Sequence, residues 1–491
     1  MRQHDQFQEL LDTLVKRSAA GSGAGVGQEV LGEVMARTSL RAPDETSRVE
    51  IAAANPTARR PVDQRAIPQG TVSRAVKALM DEGLLEEGEK LLKNADGRVL
   101  SPLRLGSLYA TAGVKIGRIK ERPRHVTTAL VGLDSHRRLG TADDAADSWD
   151  QAADLIHQHV TSLKKASDRK RASRGLDPLR MLGVGIQLGA PVYDGQVMPF
   201  SHDPSRRPVP LAEMLNRRFE ADPDFSRPIP VIVENDVNAL AVLAIHEVHY
   251  ADPDLAVVGV FDEGVGGGLV MDGRLRRGDN GRAMEIGHLA VGYRPGLDPE
   301  QTPDWLEAGP AYPSSADAGF RARCSCGQLG HVDALATPSR IVEEVGGGTL
   351  EQISEIDAQD TEFKRAHEVF NLSGATLGRA LAHVSNTVNP SRVIMYLPPC
   401  LVAAEHRPDT AGAAYLAAVR AEVTRAFAAS DEPDYLRIRA FPPDPRDLAL
   451  LGARAAAVCV LESFIEHALR LDGCKPAPRR STQATAESSS G

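Results

Sequence analysis

The sequence predicts an α/β protein in which a small helix-and-hairpin head precedes a large body of alternating strands and helices. Three observations predict it: a helical pattern that runs into two extended segments near residue 70, β-branched runs alternating with helical stretches beyond residue 110, and opposite charge in the two parts. A chain of 491 residues has length for about two to four domains, each with a core of its own.

Five cysteines are too few for a disulfide scaffold and point to a reducing compartment. The start, MRQHDQFQELLDTLVK, lacks the apolar centre of a signal peptide, and no run reads as the ~18 apolar residues that cross a bilayer. A cytoplasmic protein with no membrane partner is expected. The net charge of −9 excludes an indiscriminate nucleic-acid binder. The charge is uneven, however: residues 1–125 carry 20 Lys+Arg against 16 Asp+Glu, or +4, and the remainder 37 against 50, or −13. Such asymmetry suits a DNA-reading head on a ligand-handling body.

In the head, FQELLDTLVKR and GQEVLGEVMAR have helical apolar spacing and supply supporting helices. ETSRVEIAAAN reads as the next helix, and PTARRPVDQRAIPQG as an inserted loop whose Arg59, Arg60 and Arg65 are either solvated or in reach of phosphate. In IPQGTVSRAVKALMDEGLLEEGEKLLKNADGRVLSPLRL (67–105), Val72, Val76 and Leu79 follow helical spacing, with Thr71 or its neighbour as cap and Gly83 as terminator. LLEEGEKLL and GRVLSPLRL then flank the turn signal NADG as a hairpin. Helix followed by hairpin predicts a winged helix-turn-helix over residues 1–107, with its second helix in the major groove. The outward side of that helix carries Thr71, Ser73, Arg74 and Lys77 for base edges and phosphate, and Lys93 and Arg98 on the hairpin reach flanking phosphate.

The body begins with HVTTALVGL, DDAADSWDQAADLIHQHVTSL, MLGVGIQLGAPV and IPVIVENDVNALAVLAIHEV, a strand–helix alternation. The basic run KKASDRKRASR (164–174) reads as a solvated connection. LAVVGVFDEGVGGGLVMDGRL (255–275) reads as a hairpin in which Gly264, Gly266, Gly267 and Gly268 bring backbone close to a ligand, as phosphate-cradling loops do.

Together ENDVNALA (234–241), GVGGGLVMDGRL, EIGHLAV, CSCGQLGHVDALAT (324–337), NTVNPSRVIM (386–395) and LGARAAA (451–457) resemble the ROK family of repressors and sugar kinases. They stand in the family's order over residues 110–470. The resemblance implies a two-lobed actin-like, hexokinase-like ATPase fold behind the winged helix. Lobe 1 would span 108–236 and be completed by a C-terminal helix near 447–473, lobe 2 would span 237–446, and 474–491 would be a disordered tail.

The family pattern C-x-C-G-x-x-G-C-x-E, with a further ligand from the histidine of E-I-G-H, implies a zinc site. Cys324 and Cys326 match, His331 stands at the third cysteine, and His288 is the upstream histidine. Imidazole and thiolate exchange in tetrahedral zinc, so Cys2His2 is chemically sound, and four protein ligands make Zn2+ structural. The Pro-rich insert between His288 and Cys324 is expected to loop out.

The same resemblance places Asn235, Asp236, Glu285, His288 and Asp333 around a sugar or phosphosugar, with Asp236 at the position of the kinase base. Against phosphoryl transfer, the family's phosphate loop D-x-G-G-T-K reads KIGRIK (115–120) here, with Lys115 for the acid, Arg118 for a glycine and Ile119 for the hydroxyl. NTVNPSRVIM leads to YLPPC where the family has paired glycines, and MPFSHD, with Ser201, His202 and Asp203, replaces its asparagine segment. The expectation is a non-enzymatic transcriptional regulator, a repressor. It would bind an operator as a homodimer or homotetramer and sense a sugar by a shift in lobe angle. The alternatives are a sugar kinase using Asp236 and a DNA binder with a ligand-free body.

Overall fold

The computed structural model describes residues 7–19, 26–39, 46–53, 66–88, 92–93, 99–119, 122–134, 138–199, 207–225, 227–247, 254–291, 324, 326–328, 330–426 and 435–469. The head contains α1 (Gln8–Ala19), α2 (Gln28–Ser39), β1 (Thr46–Ser47), α3 (Arg48–Ala52), α4 (Gln69–Glu82), β2 (Leu85–Glu87), β3 (Leu92–Lys93), β4 (Val99–Leu100) and β5 (Pro102–Leu105). Strand β5 pairs antiparallel with β1 and β2, and β3 with β4. Helix α4 buries Val72, Ala75, Val76 and Leu79, at the spacing the sequence gives them. It ends at Gly83, whose φ of 87° closes the last turn in the left-handed region. Its start differs from the sequence reading: the N-cap is Pro68 with no side-chain cap, so Thr71 lies inside the first turn.

The first lobe runs through β6 (Tyr109–Ile119), β7 (Arg122–Gly132), β8 (Arg138–Ala145), α5 (Trp149–Ala172), β9 (Arg180–Leu188), β10 (Val192–Tyr193), β11 (Gln196–Val197), α6 (Leu211–Glu220) and β12 (Val231–Asn235). Its sheet has the order β12-β9-β6-β7-β8, with β6 antiparallel to β7 and parallel to β9. Two expectations are corrected here. The basic run from Lys164 continues α5 to Ala172 instead of forming a loop, because Ser148 caps the helix and no breaker follows Leu163 until Gly175. KIGRIK starts inside β6, which stays paired with β7 to Ile119 across a register shift at Gly117/Arg118.

The second lobe comprises α7 (Asp236–Glu247), β13 (Leu255–Phe261), β14 (Gly264–Met271), β15 (Arg274–Leu275), a 3-10 turn at Ile286–His288, α8 (Asp333–Ala336), α9 (Pro338–Val345), α10 (Leu350–Ser354), α11 (Phe363–Val388), β16 (Arg392–Leu397), α12 (Pro399–Ala404), α13 (Ala413–Ala426) and β17 (Leu436–Ala440). The chain ends its described part in α14 (Pro445–Ala468), which returns to the first lobe's sheet. Sheet order in this lobe is β15-β14-β13-β16-β17.

Helix α14 corrects a further expectation. By length and composition it is long and apolar enough to cross a membrane, yet 67% of its apolar window is buried inside the fold. Its contact with the sheet is close: a Cβ on Gly113 would lie 1.7 Å from the Ala453 carbonyl oxygen, and one on Gly185 1.8 Å from that of Ala456. Its far end seats the head. A Cβ on Gly32 of α2 would lie 2.8 Å from the Ala468 Cβ, Phe7 meets Phe464 edge-on at 5.5 Å, and Gln28 donates to the His467 carbonyl at 3.2 Å. One apolar cluster therefore runs from Leu11, Leu14, Val34 and Val76 of the head through Phe464 and Ile465 to Val237 and Val257 of the body.

Candidate functional site

The cleft between the lobes is built where β12 turns into α7. Asn235 uses its side chain on the backbone: Oδ1 accepts from Val237 N at 3.0 Å and Asn238 N at 3.3 Å, and Nδ2 donates to the Ala190 carbonyl at 3.1 Å. It therefore caps α7 and fixes the loop after β9, which aims the next residue. Asp236 is buried, with Oδ1 accepting from Val237 N at 3.0 Å and Oδ2 facing Lys115 Nζ at 3.9 Å. The lysine that replaces an acid in the family's phosphate loop thus stands beside the candidate base.

Glu285, His288 and Asp333 come to the same place from the second lobe. Asp333 Oδ1 accepts from Val265 N at 2.7 Å, and a Cβ on Gly287 would lie 2.1 Å from it, so the turn carrying His288 is held against α8. Burial pushes the Glu285 carboxyl above the usual range; His288 and Arg282 oppose the shift, and Asp333 and Asp236 add to it. Asp333 is raised as well, by burial, against its hydrogen bond from Val265 and the charge of His288. Met284, just before Glu285, has a φ of 61°, a strained value for a side chain of its size. The arrangement gathers carboxyls that can accept from vicinal hydroxyls.

The glycines of GVGGG stand in the hairpin that the sequence predicts. Gly264 to Gly268 lie within β14, paired residue by residue with β13. A Cβ on Gly266 would come 2.5 Å from Val237 Cγ2, one on Gly268 2.8 Å from the Val237 carbonyl, and one on Gly267 2.5 Å from the Met284 carbonyl. Their smallness lets α7 and the Glu285 turn approach β14 from opposite faces; only at Gly264, beside the turn, is there open space.

Four metal-type donors meet behind this turn: His288, Cys324, Cys326 and His331, with ligand atoms within 4.8 Å of one another. Cys324 Sγ lies 3.5 Å from His288 Nδ1, Cys326 Sγ 3.3 Å from His331 Nδ1, and the two Nδ1 atoms are 3.4 Å apart. A tetrahedron with Zn–N near 2.0–2.1 Å and Zn–S near 2.3 Å has edges of about 3.6 Å for N to S and about 3.3 Å for N to N. These three edges match those of a four-coordinate zinc site. The strand-like bridge between Ala290 and His331, and the bonds Val291 N to Gly330 O and Val332 N to Leu289 O at 3.1 Å, hold it together. His288 points its Nε2 to Glu285 Oε2 at 3.9 Å, so one ring joins the donor cluster to the cleft.

Sequence reasoning missed a charged lock under the cleft. Glu234 Oε1 accepts from Asn235 N and Asn238 Nδ2, both at 3.0 Å, and its Oε2 accepts from Arg277 Nε at 2.6 Å. Arg277 also lies 3.7 Å from Glu466 on α14. An acid inside the apolar run VIVEN was the available signal, since a carboxylate buried in a strand needs a partner.

In the head, Ser73 and Lys77 are exposed on α4, while Thr71 and Arg74 are half-buried, with Arg74 Nη2 3.4 Å from Thr71 Oγ1. Lys93 lies on β3. Arg98, Arg59, Arg60, Arg65, Ser201, His202, Asp203, the insert 292–323 and the tail 474–491 lie outside the described residues.

The ROK family profile matches residues 111–396. The chain is 25% identical over 286 residues to a glucokinase of Halalkalibacterium halodurans, covering 52% of this chain and 74% of that protein. It is 22% identical over 341 residues to the xylose repressor of Bacillus spizizenii, covering 67% of this chain and 74% of that one. Among solved structures, a ROK family transcriptional regulator described as a homolog of E. coli MLC protein superimposes with a TM-score of 0.58 at 17% identity, over 90% of this chain and 98% of that one. With more than half of its length matched, and with two lobes meeting at an ENDVN turn, the chain belongs to the ROK family.

Proposed function

We propose that the chain is a sequence-specific DNA-binding transcriptional regulator, a repressor, whose cleft senses a sugar or sugar derivative. One observation carries this reading: ahead of the ROK body sits a head in which α4 and the paired strands after it have the order of a winged helix-turn-helix. In this reading α4 enters the major groove with Thr71, Ser73, Arg74 and Lys77, and Lys93 with Arg98 follows the backbone. Similarity to the xylose repressor and to a ROK transcriptional regulator supports it. The sensing residues are Asp236, Glu285, His288 and Asp333, positioned by Asn235.

Zn2+ fits the four donors in dimension and chemistry. His288, Cys324, Cys326 and His331 would hold it with no coordination position left open, and it would brace the turn that carries Glu285 and His288. Lys115 answers the charge of Asp236 at the place where a kinase needs a free base and a metal-bound phosphate, and this favours sensing over phosphoryl transfer. A mobility shift with DNA upstream of the chain's own gene, in the presence and absence of xylose, glucose and N-acetylglucosamine, tests the proposal. It predicts a sequence-selective complex that one sugar weakens.

Retention of Asp236 and the similarity to a glucokinase favour a second reading, an ATP-dependent sugar kinase. Sugar-dependent ADP release that Asp236→Asn abolishes would establish it in place of the first.

A further inference from the structure

We propose that Glu82 is a specificity-determining latch: it fixes the angle of α4 on the first lobe and thereby the spacing of the two half-sites that paired copies of the chain read. The inference rests on the DNA-binding reading above and deepens it.

Glu82 is the last residue of α4, and its side chain is fully buried. Its Oε1 accepts from Tyr109 Oη at 2.7 Å, Arg180 Nη1 at 2.6 Å and Arg227 Nη2 at 3.1 Å. Arg17 of α1 brings its guanidinium to 3.1 Å from Oε2. The backbone joins in: Arg180 Nη1 reaches the Glu82 carbonyl at 3.1 Å, and Arg17 Nη1 the Asp81 carbonyl at 2.7 Å. Two carbonyls of the last turn, which no helix can satisfy internally, are thus taken by cations, as the helix dipole favours. Tyr109 opens β6, Arg180 opens β9, and Arg227 precedes β12. Three neighbouring segments of one sheet therefore converge on one carboxylate from the head.

A single negative charge serves three guanidinia. Without it, three partly exposed guanidinia meet at one place with no shared counter-charge, and the seat of the helix end turns from attractive to repulsive. Tyr109 remains a donor at neutral pH, because burial and the bond to Glu82 push its hydroxyl up to about 12.

The lever is long enough to matter. Fourteen residues of α4 span about 21 Å at ~1.5 Å per residue. A tilt of about 10° at Glu82 moves the first turn by roughly 3.7 Å, more than the ~3.4 Å between successive base pairs. The latch end lies against the body while Ser73 and Lys77 stay exposed, so base reading and helix angle are set by different residues.

The test uses the full chain as wild type, Glu82→Gln, and the double variant Arg180→Gln/Arg227→Gln, whose changes lie wholly in the body. Each selects bound duplexes from a pool with two copies of the half-site at variable spacing. Wild type is expected to enrich one spacing. Both variants are expected to recover the same half-site sequence while preference for that spacing over its neighbours falls about tenfold. Equal spacing preference in wild type and the variants overturns the latch, as does wild-type selection of single unspaced sites. Loss of half-site recognition in the double variant also overturns it, since the head itself is unchanged there. If wild type selects no sequence at all, the DNA-binding reading has failed first and the latch falls with it.

Discussion

At the scale of residues, the donor cluster makes the firmest prediction. Metal analysis of the purified chain should give one Zn2+ per copy, and Cys326→Ser should leave about a tenth or less of that, because three ligands hold the ion poorly. A content near one in the variant would remove the ion from these residues. Arg74→Ala should weaken operator binding by about 10–100-fold and relax the sequence preference, while Lys77→Ala should weaken specific and random DNA alike. Glu82 adds a pH dependence with a definite sign. Burial alone would raise its carboxyl, but the Tyr109 hydrogen bond and the charges of Arg180, Arg227 and Arg17 prevail and hold it below 4.5. Its contribution to head docking is therefore complete above pH 4.5 and disappears as the pH falls through the lower folded value. Protease mapping of the head–body junction in an acid titration should show this in wild type and not in Glu82→Gln. The Cys/His cluster was legible in the sequence because three of its ligands stand within eight residues of one another. Glu82 was not, since Arg180 and Arg227 lie 98 and 145 residues away and only the folded sheet brings them to it.

At the scale of elements, close backbone approach explains most of what the sequence misled about. Glycine-rich GVGGG lies in the hairpin its sequence predicts, but its glycines admit neighbouring chain, α7 on one face and the Glu285 turn on the other. The basic run after Leu163 was legible as charge but not as helix, because the buried positions of α5 end at Val160 and no apolar periodicity marks its last turns. Helix α14 has the composition of a membrane span and a different cause for it: it is buried among the first lobe's sheet, α7 and the head. Gly113→Val puts side-chain atoms where the Ala453 carbonyl already stands. We expect a loss of about 1–3 kcal/mol, read as a lower urea midpoint, and no such loss for Gly264→Ala, where space is open. Equal midpoints for the two would contradict the packing described.

At the scale of the whole molecule, the order of elements was legible: head helix, hairpin, two α/β lobes and a returning C-terminal helix all follow from hydrophobic period and from the ROK resemblance. The relation between head and body was not. It depends on pairs such as Gly32 with Ala468 and Phe7 with Phe464, each joining residues from opposite ends of the chain. The result is a head seated on the first lobe and on α14, with Arg277 of the second lobe tied to Glu234 beneath the cleft and to Glu466 beside that seat. In the proposed function, a sugar that drew the lobes together would act on this lock, and the head would follow α14.

In the proposed function this cleft governs DNA binding and performs no phosphoryl transfer. The most direct test is the affinity of the full chain for a labelled duplex from its own upstream DNA, measured by fluorescence anisotropy with and without each sugar, with ADP assayed in the same samples containing ATP. Sequence-selective binding, a change of about tenfold or more with one sugar, and no sugar-dependent ADP are expected. Equal binding to random DNA, or ADP formed in step with added sugar, would contradict the proposed function.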